Sequence, residues 1–298
     1  MSGLILKSPA KINLKLEVLG KRPDGYHEIR TILQEIALHD LVHLSPREAG
    51  IELQCSDPRL PKDERNLAFQ AAKRVKEKTG FSGGVQIYLD KKIPLGGGLG
   101  GGSSNAAWVL KGLNQLWDLG LTPEEMQVLG AEIGSDVPFF IYGGTALATG
   151  RGEKIRLLPP FPKTWLVLVT PNLEISTRWA YKKLNLELTN HGSHSNVCLP
   201  EDEENRQFQQ GLGEEALNSF EEVVIREYPV IGKIKELLTQ LGARLVSMSG
   251  SGSTVFGIFN NKEEAESARS QITGDSWFVG VTHTVERWNF QKAISLGP

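Results

Sequence analysis

The residues whose types and spacing best suit chemistry form a glycine-rich stretch from Pro94 to Ala107, with the sequence PLGGGLGGGSSNAA. Glycine adopts positive φ and carries no Cβ, so a ligand can approach its backbone closely. The preceding segment 84–90 alternates like a β-strand, and segment 106–117 has apolar residues at helical spacing. A strand, a glycine loop and a helix N-terminus bring free N–H groups and the positive end of a helix dipole together. The stretch therefore predicts a binding site for a polyphosphate.

A flexible linker, a P-loop and a dinucleotide-binding turn each fit this stretch less well. A flexible linker rarely separates a clean strand from a clean amphipathic helix. A P-loop needs a lysine after its glycines, and none follows here. Gly96, Gly98 and Gly101 fit the dinucleotide pattern G-x-G-x-x-G, but about 20 residues later the chain has a turn rather than a strand that ends in an acidic residue. Residues 103–105 (Ser-Ser-Asn) are expected to be the N-cap of the helix.

Three polar residues elsewhere are candidates for the reaction itself. Asp136 lies between a helix stop and Pro138, with apolar residues on both sides. A carboxylate in such a partly dry place suits a general base, although a helix-capping role would account for the same position. Lys11 and Asn13 lie at the start of the alternating strand 11–18, beside a proline turn where functional groups are often displayed. The alternative for these two residues is a solvated strand face.

Two further segments are candidates for binding a substrate. Tyr26 and His27 directly follow a turn in which Pro23 presets φ and Gly25 takes the left-handed position. They are either half-buried strand residues or a pair of rings held for a ligand. A second glycine loop, residues 249–254 (SGSGST), joins two predicted strands. A tight hairpin accounts for one or two of its glycines but not for its four hydroxyl residues, so a phosphate or substrate contact is also open.

The rest of the chain predicts the elements that must position these groups. Strands are predicted at 4–7, 11–18, 28–44 with a break near His39, 51–55, 84–90, 165–169, 244–248, 255–259 and 277–285. Helices are predicted at 66–75, 106–117, from Thr122, from Ile175, at 213–226, 230–241 and 262–272, with an irregular polar segment at 186–211. The proline-rich segment 157–162 is the best domain boundary. The predicted domains are therefore 1–158 and 159–298.

Composition limits the class of protein. The chain has 298 residues, of which 40% are hydrophobic and 23% charged, so it can form a sizeable core. A net charge of −2 gives no reason to expect nucleic acid or an anionic membrane as a partner. Cys55 and Cys198 are too few for a disulfide framework, and no segment approaches about 18 apolar residues. We expect a cytoplasmic protein, a monomer or weak homodimer, that acts on a small molecule.

Four segments, in this order, resemble the motif set of the GHMP small-molecule kinases, which include galactose, homoserine and mevalonate kinases. These segments are residues 9–14 (PAKINL), 94–107, 134–140 (GSDVPFF) and 249–253 (SGSGS). The resemblance extends from about residue 5 to about residue 260 and is weakest across 186–230. Together with the segment 22–27 (RPDGYH), it implies an ATP-dependent kinase of the non-mevalonate isoprenoid pathway. Its substrate would be methylerythritol linked to cytidine diphosphate.

The resemblance also implies roles for individual residues. Asp136 would take the proton from the 2-hydroxyl of the substrate, and Lys11 would neutralise charge between Asp136, this hydroxyl and the γ-phosphate. The implied ATP contacts are Pro94, Leu95, Gly96, Gly97, Gly98, Leu99, Gly100, Gly101, Gly102, Ser103, Ser104, Asn105 and, near the adenosine, Asn66. The implied substrate contacts are Asn13, Tyr26, His27, Tyr181, Ser249, Gly250, Ser251 and Gly252.

Within that substrate set, His27 would meet the polar edge of cytosine and Tyr26 would stack on the base. Tyr181, in preference to Trp179, would cover the other face. Mg²⁺ would bridge the phosphates, held mainly by ATP, with Ser104 as a candidate ligand and Glu132 as a second.

The implied fold is α+β with two domains. The N-terminal domain would resemble the second domain of ribosomal protein S5, and the C-terminal domain would be ferredoxin-like. Two alternatives stay open at this point: another kinase of the superfamily, of mevalonate or homoserine type, and a non-catalytic relative that senses a ligand.

Overall fold

The structure, a computed structural model, describes residues 3–188, 215–274, 276–287 and 294–296 and arranges them around two β-sheets. The strands are β1 (Leu4–Lys21), β2 (His27–Arg47), β3 (Ile51–Cys55), β4 (Gly84–Asp90), β5 (Thr145–Thr149), β6 (Lys154–Leu157), β7 (Trp165–Thr170), β8 (Leu217–Asn218), β9 (Leu245–Met248), β10 (Val255–Phe259), β11 (Phe278–His283) and β12 (Ile294–Leu296). The helices are α1 (Leu67–Thr79), α2 (Gly101–Leu116), α3 (Pro123–Ile133), α4 (Val137–Tyr142), α5 (Thr177–Leu188), α6 (Glu221–Glu227), α7 (Pro229–Gln240) and α8 (Lys262–Gln271).

The first sheet is built on the long antiparallel pair β1 and β2, in the strand order β12-β1-β2-β4-β3. Strand β1 joins the two strands that were predicted at 4–7 and 11–18, and β2 runs through the break that was predicted near His39. A shift in pairing register between Pro9 and Ala10 marks this place. Such a bulge bends a strand and re-aims the residues beside it. Just after the bulge, the Lys11 N–H donates a hydrogen bond of 3.0 Å to the carbonyl oxygen of Leu99 in the glycine loop.

The second sheet is antiparallel, with the strand order β11-β7-β10-β9. In chain order its strands are β7, β9, β10 and β11, with helices after the first and third, which is the βαββαβ arrangement of a ferredoxin-like fold. The prediction for this half is confirmed. Because side chains alternate across a strand, Val167 and Val169 pack with the helices α5–α8, while Leu166 and Leu168 pack against the first sheet.

The two sheets therefore pack against each other at the centre, with helices on both outer faces. The first sheet uses its other face to pack α1, α2, α3 and α4, around a fully buried Trp108. The short strand β8 and the strand β12 both pair with β1, so late parts of the chain add strands to the first sheet. The domain boundary at 158/159 stays a prediction.

Most helix boundaries agree with the sequence pattern. Asn66 is the N-cap of α1, and Thr122 with Glu125 forms the capping box of α3. The helix that was predicted to begin at 213 is wrong in its start, because β8 and a turn precede α6. The part of the predicted irregular segment 186–211 after residue 188 lies outside the described residues. Within the described residues, no helix combines the length and apolarity that a membrane crossing requires.

Candidate active site

Two clefts meet at the first glycine loop, residues 94–100 between β4 and α2. The larger cleft has a volume of about 810 Å³ and the smaller cleft about 460 Å³. The predicted site residues on the larger cleft are Lys11, Asn13, Tyr26, His27, Asp136, Tyr181, Gly250 and Ser251. Those on the smaller cleft are Asn66, Pro94, Leu95, Gly96, Gly97, Gly98, Leu99, Gly100, Gly101, Gly102, Ser103 and Asn105. Gly98, Gly100 and Ser103 line both, so the loop forms the wall between two ligand spaces.

Helix α2 begins differently from the prediction. Its N-cap is Gly100, with φ +71°, and residues 103–105 are the third to fifth residues of the helix rather than its cap. The predicted Ser-Ser-Asn cap is therefore wrong. Glycine has no side chain with which to cap the first N–H groups. The amides at the start of α2 therefore remain available to an anion, and the helix dipole favours negative charge there.

Two glycines of the loop are required by the packing of the protein itself. Gly98 has φ +75°, and a Cβ added to it would lie 2.1 Å from the carbonyl oxygen of Ser249. A Cβ on Gly100 would lie 3.0 Å from the Cγ of Lys11 and from the ring of Phe140. Larger residues would therefore push the loop away from the parts of the site that it touches.

The centre of the larger cleft holds a lysine and a carboxylate. The Nζ of Lys11 lies 3.7 Å from Oδ2 of Asp136 and donates a hydrogen bond of 2.5 Å to Oδ1 of Asn13. Lys11 is only 3% exposed, and this burial lowers the pKa of its ammonium, an effect that the nearby Asp136 opposes. The amide of Asn13 donates to Thr31 Oγ1 at 2.8 Å, which fixes its orientation.

Asp136 precedes α4, the position at which a helix-capping carboxylate would lie. Within the described chain its side chain makes no capping bond, and that side chain is 37% exposed toward the cleft. A capping role therefore does not account for it. A carboxylate that is accessible to a ligand and paired with a buried ammonium can accept a proton from a hydroxyl.

One end of the larger cleft is aromatic. The rings of His27 and Tyr181 are stacked, with centroids 4.4 Å apart and an interplanar angle of 16°. Phe220 packs edge-on against Tyr181 at 4.9 Å. Burial, and then the charge of Asp136, raise the pKa of Tyr181 to about 12. Tyr181 therefore remains a neutral phenol at physiological pH.

The other two aromatic candidates lie differently. Tyr26 is 53% exposed at the mouth of the cleft, and the guanidinium of Arg151 lies 4.7 Å from its ring centroid. Trp179 packs against Tyr228 at 5.2 Å. Of the two aromatic residues that were weighed on α5, Tyr181 is the one that lines the cleft.

The second glycine loop braces the first. Ser249 Oγ donates to the carbonyl oxygen of Gly98 at 2.9 Å, and the N–H of Thr254 donates to the carbonyl oxygen of Gly97 at 3.2 Å. A Cβ on Gly252 would lie 2.8 Å from the sulfur of Met248. The structure thus gives Ser249 and Gly252 internal contacts, while Gly250 and Ser251 line the larger cleft.

A buried polar network beneath the first loop was missed by the sequence reasoning. Asp40 is fully buried and binds Lys91 and Asn105, and Asn105 also donates to Ser8 Oγ at 3.0 Å. The Ser8 hydroxyl bonds to that of Ser104 at 2.7 Å. The basic pair 91–92, shortly before the first glycine loop, was a possible signal for this network. Asp40 gave no such signal, because it lies 51 residues from Lys91 in the chain.

A set of four cationic residues on the larger cleft was also missed by the sequence reasoning. Its members line the cleft from both halves of the chain: Lys21, Arg151, Arg178 and Lys182. Among them, Arg151 lies between two glycines at a hairpin turn, which was the most recognisable sequence signal.

The described residues offer little for a metal ion. Ser104 is fully buried with its hydroxyl on Ser8, and Glu132 lies 3.7 Å from Arg74. Across the described ranges no group of three or more His, Cys, Asp and Glu side chains could hold a metal. Ser104 and Glu132 therefore stay predictions as ligands of Mg²⁺.

Comparison with known proteins defines the class to which this fold and site belong. The GHMP kinases N terminal domain matches residues 66–144, and the GHMP kinases C terminal domain matches residues 201–276. The fold is that of a GHMP kinase, as the motifs indicated.

Individual relatives narrow the class further. The 4-diphosphocytidyl-2-C-methyl-D-erythritol kinase of Bacillus cereus (strain B4264) is 47% identical over 259 residues, which cover 87% of this chain and 89% of that protein. The enzyme of the same name from Geobacter metallireducens is 43% identical over 283 residues, or 94% and 98% of the two chains. A crystal structure of a 4-(cytidine 5'-diphospho)-2C-methyl-D-erythritol kinase superposes with a TM-score of 0.76 at 33% identity, covering 93% and 98%. This chain belongs to the family of 4-diphosphocytidyl-2-C-methyl-D-erythritol kinases.

Proposed function

We propose that this chain transfers the γ-phosphoryl group of ATP to the 2-hydroxyl of 4-diphosphocytidyl-2-C-methyl-D-erythritol, as an enzyme of the non-mevalonate isoprenoid pathway. The observation that carries the proposal is the pair Lys11 and Asp136, 3.7 Å apart, in a cleft that shares a wall with the phosphate-binding loop. Phosphoryl transfer depends mainly on positioning and on neutralising charge. This pair and this wall supply both.

In this proposal ATP occupies the smaller cleft. Its adenosine lies near Asn66, and its phosphates bind the amides of the loop and of the α2 N-terminus. The γ-phosphoryl group then reaches the shared wall at Gly98, Gly100 and Ser103. Mg²⁺, held by the phosphate oxygens, would lower their negative charge.

The acceptor occupies the larger cleft. Asp136 takes the proton of the attacking hydroxyl, and the buried ammonium of Lys11 balances the charge that gathers between the carboxylate and the phosphate. Asn13 holds Lys11 in place through the bond of 2.5 Å. The cytosine would lie at the aromatic end with Tyr26, His27 and Tyr181. The set of four cationic residues on this cleft would face the diphosphate.

A coupled assay for ADP release tests the proposal. The purified protein is supplied with ATP and Mg²⁺, and separately with the cytidylylated methylerythritol, mevalonate or homoserine. We expect turnover with the first acceptor and at least about 10³-fold lower kcat/KM with the others, since buried polar partners left unpaired discriminate strongly. Preferred turnover of mevalonate or homoserine would replace the proposed substrate. Absence of turnover with all three, despite ATP binding, would favour a ligand sensor.

A further inference from the structure

Asp40 is a fully buried carboxylate in the middle of β2. Asp40 is not among the described residues that line the two clefts. A buried carboxylate is costly unless it is paired and hydrogen-bonded. Its partners therefore indicate what it is kept for.

The partners of Asp40 lie at both ends of the first glycine loop. Its Oδ1 accepts the N–H groups of Lys92 at 2.7 Å and of Ile93 at 2.9 Å, which lead into the loop. Its Oδ2 accepts the ammonium of Lys91 and the side-chain amide of Asn105, the latter at 3.0 Å. Asn105 lies in the first turns of α2, at the exit of the loop. One side chain thus fixes the separation between the entry and the exit of the loop.

The same contacts hold Lys91 beside the anion site. Its ammonium also donates to Asn105 Oδ1 at 2.8 Å, and Lys91 itself lines the smaller cleft. A Cβ added to Gly101, the first residue of α2, would lie 3.4 Å from this ammonium. Asp40 and Asn105 together accept two of the three donors of the ammonium. The third donor can serve a group at the start of the helix.

We propose that Asp40 is a positioning residue for the polyphosphate of the nucleotide: it holds the glycine loop in its binding shape and holds the Lys91 ammonium at the N-terminus of α2. This inference rests on the proposed function only in taking a nucleotide polyphosphate as the occupant of the smaller cleft. It requires nothing of the acceptor.

The test compares Asp40→Asn with Glu35→Gln. Glu35 is a matched control, because it is 1% exposed on the same strand and accepts a loop N–H, that of Gly144, at 2.7 Å. The affinities of ATP, ADP and adenosine are measured by calorimetry without any acceptor. Steady-state KM values for ATP and for the acceptor are measured separately.

We expect Asp40→Asn to weaken ATP and ADP by about tenfold to a hundredfold, the fold-change for loss of hydrogen bonds to a charged group. Adenosine affinity and the KM of the acceptor should stay within about twofold. Glu35→Gln should lower the melting temperature but leave ATP affinity within about twofold. An equal loss of ATP and adenosine affinity in Asp40→Asn, or no loss of either, would overturn the proposal.

A second variant covers the case in which Asp40→Asn does not fold. Lys91→Met removes the ammonium but leaves the Asp40 bonds to Lys92 and Ile93 available. It should weaken ATP and ADP, again with adenosine unchanged, and unchanged ATP affinity would overturn the role of Lys91. The calorimetric measurements need no acceptor. A failure of the proposed acceptor would therefore be seen only in the turnover assay.

Discussion

The smaller and the larger cleft share one wall but are built from different parts of the chain. The wall that the first glycine loop, residues 94–100, gives the smaller cleft is mostly glycine backbone. The larger cleft is lined by charged and aromatic side chains from the first sheet, from α5 and from the turns between elements. Amides and a helix dipole recognise any polyphosphate, whereas side chains recognise particular groups. In the proposed function, the loop would therefore supply a general phosphate site, and the larger cleft would decide which alcohol is phosphorylated.

The shared wall limits how independent the two clefts can be. Ser249 Oγ and the N–H of Thr254 hold the carbonyl groups of Gly98 and Gly97, so the second loop braces the first from the side of the larger cleft. Changes deep in either cleft should therefore affect one ligand. Changes at the three residues that line both clefts, Gly98, Gly100 and Ser103, should affect both ligands.

The largest expected effect comes from the proposed base. Asp136→Asn keeps the shape of the side chain but cannot accept the proton, so kcat should fall by about 10²–10⁴. Affinities for ATP and for the acceptor should stay within about threefold. Asp24→Asn, a second carboxylate on the larger cleft, is the control and should change kcat far less. A kcat within threefold of wild type, with chemistry rate-limiting, would remove Asp136 from this role.

The wall itself is tested by Gly98→Ala. Its Cβ would meet the carbonyl oxygen of Ser249 at 2.1 Å, and its φ of +75° is unfavourable for alanine. We expect a loss of about 2–4 kcal/mol in the free energy of unfolding and weaker binding of both ligands, by about tenfold or more.

The control for this variant is Gly102→Ala, in the helical first turn, where the contact to Leu67 Cδ1 is an ordinary 3.7 Å. It should keep the stability and the acceptor affinity. Thermal unfolding and calorimetry on both variants provide the measurements. If Gly98→Ala weakened ATP alone, the two clefts would be more independent than their shared wall implies.

Much of the architecture could be predicted because it depends on local patterns. Strict alternation in 11–18 and helical spacing in 106–117 both correspond to observed elements. The βαββαβ order of the second sheet follows from elements that were mostly recognised along the chain. Local chemistry also placed Asn66 and Thr122 correctly at helix starts.

What could not be predicted depends on contacts between distant parts of the chain. The sequence related the glycines of the loop to the approach of a ligand, but it could not show that Cβ atoms on Gly98 and Gly100 would also meet Ser249, Lys11 and Phe140. The Asp40 network joins residues 51 and 65 positions apart, which leave no periodic signal. The cap of α2 was misplaced because serine and asparagine favour N-caps, but here the loop ends in a left-handed glycine.

The aromatic end of the larger cleft gives an effect of intermediate size. His27→Ala and Tyr181→Ala each remove one ring of a stacked pair, so each should weaken the acceptor by about tenfold to a hundredfold. ATP affinity should change less than about twofold, because the proposed ATP site lies beyond the wall. Trp179→Ala, on the same helix as Tyr181 but packed on Tyr228, is the control and should leave acceptor affinity unchanged. Equal weakening by all three variants would mean that packing of α5, rather than these rings, sets the affinity.

The smallest effect is expected at the mouth of the cleft. Tyr26 is 53% exposed, whereas His27 is 9% exposed, so fewer neighbouring groups hold the ring of Tyr26 in place for an acceptor. Stacking at an exposed ring should contribute near the lower end of the usual range, about 1 kcal/mol, or about fivefold in acceptor affinity. Tyr26→Ala should show this loss, and Tyr26→Phe, which keeps the ring face, should not. Calorimetry with the acceptor distinguishes the outcomes.

A loss as large as that of His27→Ala would mean that the bound ligand closes Tyr26 and its Arg151 partner over the base, so that exposure in the free enzyme underestimates the contact. No loss at all would confine recognition of the base to the stacked pair His27 and Tyr181.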